Sequence, residues 1–231
     1  IHTLYLSESF SKTKEGKALR EGVKHIELVT DEVFKNLSDT QTPQGILALV
    51  KQYHYTLEEV AGGSRKSAQA EDLQEKPALL MVLETIQDPG NLGTILRAGE
   101  GAGVTGIVMD ANTADIYNPK VIRSTMGSVL RMPFVYVENL HETLEELKKK
   151  KIRLFAAHLQ GKHAYDQEDY TGPAAFLIGN EGNGLTEETA AMADTYIRIP
   201  MEGRVESLNA AVAASVLMFE AARQRRNHTG K

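Results

Sequence analysis

Between residues 78 and 179, short and almost continuous apolar runs recur: ALLMVL (78–83), GIVM (106–109), PFVYV (133–137), IRLFAA (152–157) and AAFLIG (174–179). Without polar alternation, such runs predict strands buried on both faces. The intervening stretches are long enough for helices, which the pattern predicts from Asn91, near Pro119 and across His141–Lys151. Strands alternating with helices predict an α/β fold with a parallel sheet covered by helices. The last element, SLNAAVAASVLMFEAARQRR, reads as a helix capped by Ser207 and apolar nearly all round, which predicts burial, in part against another subunit.

Ahead of this region HTLYL and GILALV are β-like, and Thr30 before DEVFKNL predicts a capped helix, giving a small α/β unit over residues 1–55. Residues 56–76, which end in AGGSRKSAQAEDLQEK (61–76), predict an exposed linker, and 77–231 the second domain. The chain opens at Ile1 and not Met, from which a missing N-terminal element is expected.

Hydrophobic residues make up 42% and charged residues 25%, so disorder, collagen and coiled coil are poor readings. The absence of cysteine excludes a disulfide framework, a thiol nucleophile and cysteine-based metal or iron–sulfur sites, and favours a reducing cytoplasm. A net charge of −5 means that any nucleic-acid contact must come from a local basic patch. No apolar run approaches the ~20 residues of a membrane span.

Three segments carry candidate chemistry. In ETIQDPGNLGTILRAGEGAGV, a strand ends and Asn91 could cap a helix carrying Gly93 and Arg97, near whose N-terminus free N–H groups favour an anion. An ordinary strand-to-helix connection with glycine for close packing fits as well. In FLIGNEGNGLTEE, Gly179, Gly182 and Gly184 follow an apolar strand, either as a bare turn or as a loop cradling an adenosine-like ligand. Glu181 inside the loop argues against a phosphate. In IRIPMEGRVESLNAA, Ser207 and Asn209 precede a helix and could be no more than capping residues. His158 with His163 reads as a loop pair, and no metal is assigned. The run KKKKIR (148–153) and Arg223, Arg225 and Arg226 read as solvated charge with the option of phosphate contacts.

In this order the three segments resemble the motifs of the SpoU (TrmH) family of RNA ribose 2′-O-methyltransferases, of the SPOUT superfamily: N-L-G-T-I-L-R (91–97), I-G-N-E-G-N-G (178–184) and I-P-M-x5-S-L-N (199–209). The unit ending T-P-Q-G-I-L-A-L-V (42–50) looks like that family's RNA substrate-binding domain, without its leading strand and helix. The resemblance implies a C-terminal deep trefoil knot, a homodimer, S-adenosyl-L-methionine as cofactor and methyl transfer to a ribose 2′-hydroxyl of structured RNA, 23S rRNA ahead of tRNA. It implies Arg97, Asn91, Glu181, Ser207 and Asn209 as catalytic residues, and Gly179, Asn180, Gly182, Ile199, Met201 and Leu208 around the cofactor. A guanidinium keeps its proton, so Arg97 is expected to stabilise developing charge, with Glu181 orienting it or a neighbouring donor.

Two other readings stay open. A nicotinamide-dependent oxidoreductase would share the sheet and glycine loops, but G-x-G-x-x-G after the first strand with an acidic residue ~20 positions on is missing. A catalytically silent RNA-binding adaptor would lack methyl transfer.

Overall fold

The computed structural model describes residues 1–38, 40–62 and 77–229, in two compact units, Ile1–Tyr53 and His54–Lys231. In the first, β1 (Thr3–Ser7) is followed by α1 (Glu8–Ser11), α2 (Lys14–Gly22), β2 (Ile26–Val29), α3 (Asp31–Leu37) and β3 (Ile46–Leu49). The sheet order is β2-β1-β3, with β2 parallel and β3 antiparallel to β1. Leu4, Leu6 and Phe34 are buried, and Thr30 caps α3 as the sequence predicts, its hydroxyl accepting the Val33 N–H.

The second unit runs α4 (Leu57–Ala61), β4 (Leu79–Leu83), α5 (Pro89–Ala102), β5 (Gly106–Asp110), α6 (Pro119–Ser124), β6 (Phe134–Val137), α7 (Leu140–Lys149), β7 (Arg153–Ala157), β8 (His163–Ala164), β9 (Ala174–Ile178), α8 (Glu187–Ala191), β10 (Thr195–Arg198) and α9 (Ala210–Thr229). The expected linker begins inside this unit: Leu57–Ala61 is helical, and Val60 is buried against Gly106, where a Cβ would come within 2.5 Å of it. The remainder of that expectation, 63–76, lies outside the described residues.

All pairings in the seven-stranded sheet are parallel, in the order β6-β5-β4-β9-β7-β10-β8. Side chains on a strand point alternately to opposite faces. Leu79, Met81 and Leu83 of β4 accordingly join a core with Ile95 and Leu96 of α5 and Leu217 and Met218 of α9, while Leu80 and Val82 join Leu144 and Leu147 of α7 on the other side. Burial on both faces is why these strands read as unbroken apolar runs.

Within a single chain, helix α9 is buried along one side only. Ala211, Ala214, Leu217, Met218, Ala221 and Ala222 form a buried stripe, whereas Val212 and Phe219 are about half exposed, at 47% and 49%. Its far end is held by Arg225, whose guanidinium donates to the carbonyls of Tyr170 (2.9 Å), Pro77 (2.7 Å), Ala78 (3.0 Å) and Gly172 (2.7 Å). Burial lowers its pKa to about 10, so it stays charged. Arg225 is therefore an internal clamp and not the solvated cation that its sequence context suggests, while Arg223 pairs with Glu220 at 2.7 Å.

Candidate active site

The loop after β4 opens α5 with Pro89, whose missing N–H costs nothing in a first turn. Asp88 caps the helix, its Oδ1 accepting the Asn91 N–H at 2.8 Å. Asn91 is thus not the cap expected from its position. Its side chain is left to reach across the sheet edge, Nδ2 donating to Glu181 at 3.0 Å and Oδ1 accepting from Asn209 Nδ2 at 2.9 Å. Arg97 lies in the middle of α5 and not at its N-terminus, so the argument for an anion site at free N–H groups does not extend to it. It is exposed and makes no hydrogen bond or ion pair among the described residues. One turn before it, Gly93 admits α6: a Cβ there would lie 1.7 Å from Ser124 Oγ.

After β9 the chain folds back on itself. Asn180 and Gly184 exchange two backbone hydrogen bonds, of 3.0 and 2.9 Å. The fold-back passes so close to Gly179 that a Cβ would meet the Gly184 carbonyl carbon at 2.0 Å and the Leu185 nitrogen at 2.1 Å. Asn180 Oδ1 closes the loop by accepting the N–H groups of Gly182 (2.9 Å) and Asn183 (3.1 Å). Glu181 points back toward α5 and accepts the N–H of Asp88 (2.9 Å) and of Gln87 (3.2 Å) besides the Asn91 amide. Of the two expected partners it orients the neighbouring donor, Asn91; Arg97 is not among its hydrogen-bond partners.

Burial pushes the Glu181 carboxyl up, but the Asn91 amide and the backbone N–H groups outweigh it, leaving the pKa below the ordinary glutamate range. A depressed carboxyl contributes stability above its unfolded pKa and loses it as pH falls through the folded value. Glu181→Gln is therefore expected to melt below the wild type at neutral pH, with the gap narrowing as pH falls below about 4.3 and closing only once it has passed the lowered folded pKa, where both side chains are neutral. Thermal unfolding across that range checks it; a gap independent of pH would assign the effect to shape alone.

The third segment joins the first two through Asn209. Its Oδ1 accepts the N–H groups of Ala211 (2.9 Å) and Val212 (3.2 Å), so Asn209, and not Ser207, caps α9. Glu181, Asn91 and Asn209 form one hydrogen-bonded chain across all three segments.

A cavity of about 520 Å³ opens at the carboxyl ends of β7, β9 and β10. All six residues expected around a cofactor line it: Gly179, Asn180, Gly182, Ile199, Met201 and Leu208. Of the expected catalytic set, Glu181 and Ser207 also line it, while Asn91 and Asn209 stand behind Glu181 and Arg97 lies outside the lining. Sequence reasoning missed His158, Leu159, Arg198 and Glu206 in the walls. With Ile178, Ile197 and Leu217 as apolar surface, glycine-loop backbone as polar surface, and two carboxylates, Glu181 and Glu206, against one guanidinium, Arg198, the lining suits an adenosine-like ligand bearing positive charge better than a pyrophosphate. Among the described residues, no three histidine, aspartate or glutamate side chains could hold a metal ion together, and no helix is long and apolar enough to cross a membrane.

Residues 78–219 match the SpoU rRNA Methylase family, and residues 1–56 match the RNA 2′-O ribose methyltransferase substrate binding family. The chain is 31% identical over 192 residues to the 23S rRNA (guanosine(2553)-2′-O)-methyltransferase RlmP of Bacillus subtilis, covering 83% of this chain and 70% of that protein. Among solved structures it resembles the SpoU methyltransferase AviRb from Streptomyces viridochromogenes in complex with the cofactor AdoMet (TM-score 0.82, 26% identity, 98% of this chain and 84% of that one). It also resembles the AdoMet-bound rRNA methyltransferase from Sinorhizobium meliloti (TM-score 0.78, 29% identity, 96% and 80%). With its motifs brought together around one cavity and both units matched by family models, the chain belongs to the SpoU rRNA methylase family.

Proposed function

We propose that this protein transfers a methyl group from S-adenosylmethionine to a ribose 2′-hydroxyl of 23S rRNA, with tRNA the second choice, and that it works in the cytoplasm. As a member of its family it is an S-adenosylmethionine-dependent RNA (ribose-2′-O)-methyltransferase. The observation that carries the reading is the chain Glu181–Asn91–Asn209, which ties all three family motifs to the edge of one cavity. When bound, the cofactor supplies a methyl group on a sulfonium, already activated for displacement. Gly179, Asn180, Gly182, Ile199, Met201 and Leu208 hold it, the carboxylates of Glu181 and Glu206 complementing its positive charge. Arg97, exposed and uncommitted, meets the RNA and stabilises the charge that develops on the 2′-oxygen; Ser207 lies at the cavity wall as a further donor. Residues 1–55 bind RNA and 77–231 carry out the transfer. The curated relative acting on 23S rRNA favours that substrate.

The reading includes two features of assembly. One is a deep trefoil knot in the C-terminal region, a reading supported by the insertion of β9 between β4 and β7. The other is a homodimer. Val212 and Phe219 on α9, and Ile122 and Met126 on and just after α6, are exposed at 47%, 49%, 41% and 71%, and both helices pack on α5, the helix that carries Arg97. A second copy covering these residues would bring apolar cover and RNA-facing surface together. Light scattering at micromolar concentration is expected to report about twice the 25.4 kDa chain mass, and a monomer that methylates RNA would refute the dimer.

Incubating RNA with labelled S-adenosylmethionine and mapping the modified ribose tests the function. One methylated 2′-oxygen in 23S rRNA is the expected result. RNA binding without transfer would make the protein an adaptor, and NADH binding with no response to the methyl donor would overturn the reading.

A further inference from the structure

Thr85, between β4 and the loop that opens α5, has φ of 57°, a left-handed conformation that is costly for a β-branched side chain. Glycine or asparagine would adopt it at lower cost. What holds a threonine there is Asp110, the buried last residue of β5: Oδ1 accepts the Thr85 N–H at 2.9 Å and Oδ2 its hydroxyl at 2.7 Å. The Thr113 hydroxyl also donates to Oδ1, at 2.7 Å, and accepts the Ile86 N–H at 3.2 Å. The turn so fixed presents the Thr85 carbonyl to Nδ2 of Asn180, at 2.9 Å. That bond fixes the Asn180 amide with its oxygen toward the N–H groups of Gly182 and Asn183.

A second carboxylate holds the far leg of the same loop. Glu84, buried beside Thr85, accepts the N–H and the hydroxyl of Thr186, both at 2.8 Å, and the hydroxyl of Thr189. Neither Thr85, Asp110 nor Glu84 lines the cavity. We propose that Thr85 and Asp110 are positioning residues: through the Thr85 carbonyl and Asn180 they set the shape of the glycine-rich loop that receives the cofactor. Its functional side rests on the cavity's being the S-adenosylmethionine site.

The test is made on the full chain with Thr85→Val, which keeps the branched shape and removes the hydroxyl, and Asp110→Ala. Amide hydrogen exchange and calorimetric affinity for S-adenosylmethionine are measured together. Loss of a charge-assisted hydrogen bond is expected to speed exchange at Gly182 and Asn183 about tenfold and to weaken cofactor affinity about tenfold, with the amides of β4 and β9 unchanged. Thr85→Ser, which restores the hydroxyl, should recover both. Should Asp110→Ala not fold, Thr85→Val carries the test alone. Acceleration of all amides alike, or no change at the loop in a folded variant, overturns the proposal. Faster loop exchange in a protein whose wild type binds no S-adenosylmethionine would leave the positioning role standing and fail the functional reading instead.

Discussion

Gly179→Ala is expected to weaken S-adenosylmethionine binding by more than about 100-fold, because no rearrangement of a flexible side chain can make room for the new methyl group. Its neighbours at 2.0–2.2 Å are backbone atoms of Gly184 and Leu185. The fold-back must open, and with it go the paired backbone bonds between Asn180 and Gly184. Overpacking of this kind also destabilises, typically by about 1–3 kcal/mol. Gly182→Ala provides the contrast in stability: its Cβ would meet only Asn180 Oδ1, at 3.5 Å, an ordinary contact. Melting temperatures of the two variants beside titration of Gly179→Ala check the argument, and wild-type affinity in Gly179→Ala would show that the loop does not hold the cofactor.

For Arg97→Ala the expected loss is in turnover: a fall of about 100–1,000-fold in the single-turnover rate, the usual effect of removing one preorganised donor. Cofactor affinity should stay near wild type, since Arg97 lies outside the cavity lining. Stability should change by no more than about 0.5 kcal/mol, because the side chain is exposed and makes no hydrogen bond or ion pair among the described residues. Arg97→Lys should fail as well, keeping the charge but losing the planar fork of donors. A near-normal rate in the folded alanine variant would remove Arg97 from the chemistry.

The strands β4, β5, β7 and β9 were legible because burial on both faces leaves an unbroken apolar signature, whereas the edge strand β6, expected to be buried likewise, has only Phe134 buried and Tyr136 exposed, and was legible from its β-branched and aromatic residues alone. Short elements were not: α8, with sequence EETAA, offers no large apolar residue, β2 is half exposed, and β8 has two residues. The caps show a subtler limit. Asp88 could have been preferred to Asn91, since Pro89 marks a first helical turn, but choosing between Ser207 and Asn209 required knowing where α9 begins. At the site, the three motifs located the glycine loop and its contacts, whereas His158 and Leu159 carry no motif and become cavity wall only because the sheet order sets β7 beside β9. Arg225 was misread for the same reason, its four carbonyl partners lying on segments remote in sequence.

The sheet order also sets a timetable. β4 pairs with β9, and the Asn91–Asn209 bond closes a separation of 118 positions, among the longest that the fold must span. Such closures come at high entropic cost and form slowly. Helices and the local β4–β5–β6 portion can assemble first, so the protein can acquire most of its regular structure while still unable to hold its methyl donor. On dilution from denaturant, circular dichroism should accordingly recover ahead of cofactor binding, and the lag between the two signals would measure how long the chain waits for the link that joins its motifs.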